Sequence, residues 1–161
     1  MNEDPLWDSA KGELRILGRR YVALDVESLC RHLDSLVGPS VAEVIMRNHE
    51  LRLGKEDAEE FRREKPNASI DDIIETIKAT DRMSGVGITK ITLLDTSGER
   101  VSVEVSNPCV METTGAAKSL LFGYWCGVLS FLFGKEFDAE DVSYNEKENI
   151  LSGKIVVRRT K

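Results

Sequence analysis

Cysteine is scarce in this sequence of 161 residues. The three cysteines stand at positions 30, 109 and 126, so no two form a C-x-x-C pair and the count is odd. This pattern does not fit the disulfide framework of a small secreted domain and favours a reducing compartment. The first residues, M-N-E-D-P-L-W-D, are acidic and contain no apolar signal core. We therefore expect the protein in the cytoplasm.

Clusters of basic residues are also missing. The 22 lysines and arginines are dispersed among 28 acidic residues, and the net charge is −6. No basic stripe is therefore available to neutralise phosphates. We expect no direct binding to nucleic acid.

The common catalytic and cofactor motifs are absent as well. The sequence contains no phosphate loop, H-E-x-x-H, nucleophile elbow or paired-carboxylate motif. The G-V-G at positions 85–87 precedes a strand-like pattern instead of a helix, which predicts a turn and not a dinucleotide loop. These absences favour a binding protein and leave the question of an enzymatic activity open.

Aromatic residues are few, and most of them fall in one stretch. Six of the ten lie between Ala116 and Phe137, where no charged side chain occurs between Lys118 and Lys135. Because apolar residues surround this segment on all sides, it is typical of an enclosed helix. A membrane span is the alternative, but it needs about 20 consecutive apolar residues, and the lysines are separated by 16 positions that include glycine and serine. We predict the buried central helix of the core.

Glycine interrupts this helix at Gly123 and Gly127, which are four residues apart and therefore on one face. A glycine inside a helix costs about 1 kcal/mol relative to alanine. Something must therefore approach that face closely. Either another helix or sheet packs there backbone to backbone, or a ligand lies in the space that the absent side chains leave.

The sequence predicts a polar N-terminal segment, or lead, at residues 1–12, followed by one domain at residues 13–161. Partial alternation on both sides of Gly18 indicates a short hairpin or a strand pair. Asp25 can cap an amphipathic helix that Gly38 ends.

Two further helices are predicted before the sheet. The second helix begins at Pro39 and ends near Gly54, and the charged segment at 55–65 is a solvated helix or a lid. Ser69 and Asp72 form a capping-box pattern at the start of the third helix.

After Gly85 the apolar period changes from about 3.6 to 2, which indicates strands. A hairpin with its turn at 96–99 places valines 101, 103 and 105 on one face. The central helix, capped by Thr113 or Thr114, follows, and strands at about 137–144 and 150–158 end the chain. The prediction is an α+β fold: a helical N-terminal half packed on a C-terminal antiparallel sheet of about four strands, with the apolar central helix buried.

The order of these motifs resembles a known family. V-E-V-S-N-P ends a strand, G-Y-W-C-G-V-L-S-F-L-F-G-K forms the central helix, and strand, turn and strand follow. This pattern resembles the 4-vinyl-reductase-type, or hydrocarbon-binding, small-molecule-binding domains, over roughly residues 13–157. Related domains include the sensors of aromatic-responsive regulators and, by fold, the nitric-oxide-signalling and vesicle-tethering-subunit proteins. The resemblance implies a ligand cavity between helix and sheet and a homodimer.

One departure from the family concerns zinc. The resemblance places a zinc site of the sensor members at Lys118, at Asp141 or a near neighbour, and near Tyr144 and Ser152, where those members have cysteines and an acidic residue. Hydroxyls and an ammonium cannot form the thiolate-rich shell of a structural zinc, so we expect no zinc and predict no other cofactor. We also predict that Lys118 and Asp141 form an ion pair in place of the metal.

These observations predict a protein that binds an apolar or aromatic small molecule, as a sensor or carrier. Alternatives are an assembly module without ligand and a subunit related to vinyl reductases, although no hydride or electron source is visible. Cys126 can be a reactive thiol or a small packed hydrophobe. The side chains that we expect to line the pocket are Cys109, Met111, Phe122, Trp125, Cys126 and Leu129.

Overall fold

The structure is a computed structural model that describes residues 6–8, 13–16, 19–21, 25–93, 99–111 and 113–158. The helices in these residues are α1 (Val26–Val37), α2 (Pro39–Glu64), α3 (Ile70–Ser84) and α4 (Gly115–Phe133). The strands are β1 (Leu6–Asp8), β2 (Glu13–Ile16), β3 (Arg19–Tyr21), β4 (Ile88–Leu93), β5 (Arg100–Ser106), β6 (Phe137–Asn145) and β7 (Ile150–Val157).

The strands form two antiparallel sheets. The larger sheet has the order β4-β5-β7-β6 and the smaller one the order β1-β2-β3. The predicted α+β class with a four-stranded antiparallel sheet is confirmed, as is the strand pair before α1. The turn positions 96–98 and Gly18 lie outside the described residues. The predicted boundary between lead and domain stays a prediction, although Leu6–Asp8 pairs with β2.

Helices α1 and α3 begin where the sequence predicts. The side chain of Asp25 accepts a hydrogen bond from the Ser28 amide at 3.0 Å. Ser69 and Asp72 form a complete capping box, with backbone-to-side-chain bonds of 2.9 and 3.1 Å. Both caps satisfy amides that the first turn of a helix leaves free. The capping prediction is confirmed at both helices.

Helix α2 differs from the prediction. The predicted end near Gly54 is wrong, because one helix continues to Glu64 and includes the charged segment. Gly54 is instead a point of contact, where a Cβ would lie 2.1 Å from the carbonyl oxygen of Tyr124 on α4. The helix ends one residue before Lys65, which precedes Pro66 and is thereby disfavoured in a helical conformation.

Helix α4 lies between the larger sheet and α2. On the sheet side, a Cβ at Gly153 would lie 2.6 Å from the Phe122 ring. On the other side, a Cβ at Gly127 would lie 2.2 Å from the carbonyl oxygen of Leu51 on α2. The glycines therefore admit a neighbouring helix. Although α4 is long and apolar enough to cross a membrane, 67% of that segment is buried inside the fold, as in a core helix.

The start of α4 is capped from another helix. Thr114 occupies the cap position but its side chain makes no capping bond. The Asp34 carboxylate of α1 instead accepts a hydrogen bond from the Ala116 amide at 3.0 Å. The predicted threonine cap is therefore wrong at the level of the side chain. Gly115 has φ +62°, and a Cβ there would lie 2.3 Å from the Asp34 carboxylate, so glycine is required.

Candidate functional site

A cavity of about 640 Å³ lies where α2, α3 and α4 meet strands β4 and β5. Each helix presents residues three or four positions apart, which lie on one helix face. Helix α2 contributes Glu50, Leu53 and Asp57, and α4 contributes Tyr124 and Trp125 among others. The start of α1 and the segment after α3 complete the wall. The volume falls within the range of small-molecule pockets, about 300–1,000 Å³.

Asp81 is the centre of a buried polar cluster in the cavity wall. Its Oδ2 accepts hydrogen bonds from Trp125 Nε1 at 3.0 Å and from Thr89 Oγ1 at 2.8 Å. Burial raises the pKa of Asp81 to about 6, although both hydrogen bonds lower it, and the nearby Asp57 carboxylate raises it further. Trp125 is therefore oriented by a carboxylate, and the cluster joins α3, α4 and β4.

Two more carboxylates border the cavity from α2. Burial raises the pKa of Glu50 to about 7, and the charge of Asp57 adds to that effect. Tyr124 Oη donates a hydrogen bond to Asp57 at 3.0 Å. Within the described residues, the basic side chain that lies within 4 Å of the Glu50 carboxylate is that of the exposed His49, whose Nε2 is 3.8 Å away, which is too far for a hydrogen bond. Glu50 therefore lacks a close countercharge there.

The structure separates the six predicted site residues. Trp125 and Cys109 line the larger cavity, whereas Phe122 and Cys126 line a cleft of about 50 Å³ between α2, α4 and β6. Leu129 is fully buried, and Met111 is 48% exposed. Neither of these two is among the residues that line either space.

Burial disfavours the thiolate form of Cys109 and of Cys126. Burial raises the pKa of Cys126 to about 12 and also raises that of Cys109. Because the thiolate is the reactive form of cysteine, this environment favours the packing interpretation of Cys126 over the reactive-thiol interpretation.

The carboxylates are the part of the site that the sequence interpretation missed. Asp81 stands four residues after Ile77, which itself follows Ile73 by four, so it continues the buried face of α3. Glu50 likewise continues the buried series Ala42, Met46 on α2 at intervals of four. An acidic residue at the helical spacing of an apolar stripe is therefore a sequence signal for a functional or paired carboxylate, because burying an unpaired carboxylate is costly and rare.

The predicted ion pair between Lys118 and Asp141 is wrong. Lys118 Nζ lies 2.7 Å from the Glu43 carboxylate, because α2 packs beside it. Asp141 lies at an irregularity in β6 and pairs with Lys154 across on β7 at 2.6 Å. Each charge therefore finds its partner on the element that the tertiary fold places next to it.

The family zinc site does not fit this chain. Besides the two ion-paired residues, Tyr144 Oη donates to Asn149 at 2.7 Å and the Ser152 hydroxyl lies 3.2 Å from that of Ser143. Hydroxyls and a lysine do not supply the thiolate and imidazole ligands of structural zinc. Among the described residues, no group of three or more His, Cys, Asp or Glu side chains is arranged to hold a metal. The absence of zinc stays a prediction.

Comparison with solved structures shows fold relatives. The phenol-responsive sensory domain of the transcription activator PoxR, solved with phenol, superposes with a TM-score of 0.69 at 14% identity, over 95% of this chain and 84% of that one. A trafficking protein particle complex subunit 3 from Naegleria fowleri, covalently bound to palmitic acid, has a TM-score of 0.53 at 13% identity, over 83% and 95%. No protein-family model and no curated protein matches the sequence.

A third solved structure is a vinyl-4-reductase family protein from Methanocaldococcus jannaschii, with a TM-score of 0.46 at 16% identity over 68% of each chain. The sensory domain and the trafficking subunit are among the kinds of protein that the sequence motifs resemble. The resemblance is thus confirmed at the level of the fold, which rests on the first two superpositions.

Proposed function

We propose that this chain binds an aromatic or apolar small molecule in the cavity of about 640 Å³ and acts as a sensor or carrier domain. The observation that supports the proposal is the cavity itself, with the ring of Trp125 in its wall and a pocket-sized volume. The shared fold with a phenol-responsive sensory domain supports it as well. Aromatic side chains supply large contact areas for such ligands.

Native mass spectrometry of the freshly purified chain tests the proposal. We expect a non-covalent mass of a few hundred daltons, on the scale of a drug-sized ligand in such a pocket, that disappears on denaturation. The released compound then serves as the ligand for titration calorimetry.

A variant that fills the cavity tests whether the ligand binds there. Leu53→Trp introduces a larger side chain into the wall and should weaken binding by at least about tenfold, because the added ring occupies volume that the ligand would otherwise fill. Ile88→Trp is the matched control, since Ile88 is 54% exposed and outside the cavity wall. Equal affinities in the two variants would show that the ligand lies elsewhere.

We also propose a homodimer in the cytoplasm, and one surface supports the dimer. Helix α1 and the start of α2 expose large apolar side chains on what we call the α1–α2 face: Leu29, Leu36, Val37, Val41, Val44 and Ile45. Exposed apolar surface of this kind marks interaction sites. Val44→Glu should convert the dimer to a monomer in light scattering, whereas Ile88→Glu should not; a monomeric parent chain would contradict the dimer.

The α1–α2 face also supports a second candidate function, that of an assembly module. One fold relative is a subunit of a trafficking complex. This alternative predicts a clean mass without ligand and a parent chain whose solubility depends on its assembly partner. A ligand-loaded, soluble Val44→Glu monomer would reject it.

A further inference from the structure

Asp81 accepts hydrogen bonds with only one of its two carboxylate oxygens within the described residues. Trp125 Nε1 and Thr89 Oγ1 both donate to Oδ2, at 3.0 and 2.8 Å. An ionised carboxylate offers about four lone-pair sites, two on each oxygen. The two bonds therefore fill Oδ2 and leave the acceptor sites of Oδ1, to which no donor of the described residues is bonded.

The Oδ1 atom of Asp81 faces the larger cavity. Asp81 belongs to the cavity wall, and only 6% of the residue is exposed. Within the part of the chain that the structure describes, no enclosed side-chain oxygen or nitrogen lacks a hydrogen-bond partner. Oδ1 is therefore not enclosed, and the space that it reaches is that of the cavity which the residue lines. Its position is fixed, because bonds from α4 and β4 hold Oδ2.

The hydroxyl and indole donors of the described cavity wall are engaged within the protein. There are five such side chains, and each donates a hydrogen bond to a carbonyl or carboxylate oxygen: Thr80, Ser84, Thr89, Tyr124 and Trp125. Because each of these groups carries a single donor hydrogen, this part of the wall offers a ligand acceptors in preference to donors.

We propose that Asp81 Oδ1 accepts a hydrogen bond from the ligand, so that the cavity selects an aromatic compound with an O–H or N–H group over an isostere that lacks one. This inference rests on the proposed small-molecule binding and specifies its ligand class. A ligand without a donor would cover Oδ1 and leave a desolvated carboxylate oxygen without a partner, which is unfavourable. Cations elsewhere in the wall do not alter this requirement, because the bond needs a free lone pair and not an unbalanced charge.

Two pairs of probes with closely matched shapes test the donor. Indole and benzofuran differ in a ring N–H against a ring oxygen, and phenol and fluorobenzene differ in O–H against fluorine. Each probe is titrated by calorimetry into the full chain, cleared of any ligand carried through purification, at pH 8, where Asp81 is ionised. The donor of each pair should bind at least about tenfold more tightly, because a hydrogen bond to a charged group is worth at least that factor. Hydrophobicity alone predicts the reverse order, since benzofuran and fluorobenzene are the less polar members.

The variant Asp81→Asn connects the preference to this residue. Its amide oxygen can keep the bonds from Trp125 and Thr89, which turns the amide NH2, a donor, toward the cavity. The ratio of indole affinity to benzofuran affinity should therefore fall by at least about tenfold, whereas a merely structural loss would weaken both probes alike. Glu75→Gln is the matched control, because it removes a charge from the same helix at a side chain that is 69% exposed, pairs with Lys78 and lies outside the cavity wall.

The outcomes separate this inference from the proposed function. Equal or tighter binding of benzofuran and fluorobenzene by the parent chain would overturn the selection for a donor and leave small-molecule binding in place, and this comparison does not depend on how any variant folds. An unchanged ratio in folded Asp81→Asn, or a ratio lost in Glu50→Gln instead, would overturn the assignment to Asp81. Absence of binding by all four probes would contradict both. Loss of all four in Leu53→Trp, with the donor preference present in the parent chain, supports both.

Discussion

Replacing Gly54 by alanine should destabilise the fold, although alanine is the better helix former. The new Cβ would lie 2.1 Å from the carbonyl oxygen of Tyr124 and 3.0 Å from the Val128 amide nitrogen. Because real Cβ contacts almost never fall below 3.0 Å, α2 and α4 must separate by about 1 Å in a densely packed core. In Gly127→Ala, the new Cβ on α4 would lie 2.2 Å from the carbonyl oxygen of Leu51 on α2, so the same separation of the two helices is needed.

The size of the effect follows from two opposing contributions. Overpacking a core costs about 1–3 kcal/mol, and sometimes more, whereas glycine to alanine gains up to about 1 kcal/mol of helix propensity. Since backbone atoms cannot rotate away, we expect Gly54→Ala and Gly127→Ala each to lose about 2 kcal/mol of unfolding free energy. Gly123→Ala is the matched control. Its Cβ would lie 3.1 Å from the Glu50 Cβ and 3.5 Å from the Arg47 Cα, with no contact below 3.0 Å, so stability should change by less than about 1 kcal/mol.

Urea denaturation followed by circular dichroism measures these differences. In the double variant Gly54→Ala/Gly127→Ala, one separation of the helices accommodates both methyl groups. The loss should therefore be smaller than the sum of the single losses by about 1 kcal/mol. A Gly54→Ala protein as stable as the parent chain, or strictly additive losses, would refute a shared close contact between α2 and α4.

Three further measurements address the polar groups of the fold. The raised pKa values of Glu50 and Asp81 let the folded chain keep protons that the unfolded chain releases between about pH 4 and 7. Stability should therefore fall over that range, by about 3 kcal/mol for each of the two groups. Glu50→Gln should flatten this dependence in urea titrations, and a parent curve that rises with pH would contradict it. Asp34→Ala should lose about 1 kcal/mol as the cap of α4, and Thr114→Ala should lose less; the reverse order in thermal unfolding would reject the cap. Trp125→Phe should cost about 1–3 kcal/mol by removing a buried donor to Asp81, and unchanged stability would speak against that bond.

Local signals made much of the fold predictable. The caps at Asp25 and Ser69 and the alternation along β5 act between residues close in sequence, so their geometry follows from the chain itself. The same holds for the enclosed character of α4, because a segment without charges has to be covered. Gly54 shows the limit of this reasoning. A glycine can end a helix or admit a neighbour, and only the position of α4 decides which of the two occurs.

The site depended more strongly on tertiary structure. Trp125 was recognisable as a cavity residue from its place in an aromatic helix, but its partner Asp81 is 44 positions away. The ion-pair partners of Lys118 and Asp141 likewise depend on the tertiary fold. The packing of α2 against α4 places Glu43 beside Lys118, and the pairing of β6 with β7 places Lys154 beside Asp141.

The sequence by itself determined the elements, their order and the apolar faces that they must bury, because periodicity and capping are properties of neighbouring residues. Only the tertiary structure decided which carboxylates share the cavity, since Glu50, Asp57 and Asp81 lie on two different helices. Electrostatic interaction depends on distance through space and on burial. The charge of the cavity wall is therefore a property of how the helices pack.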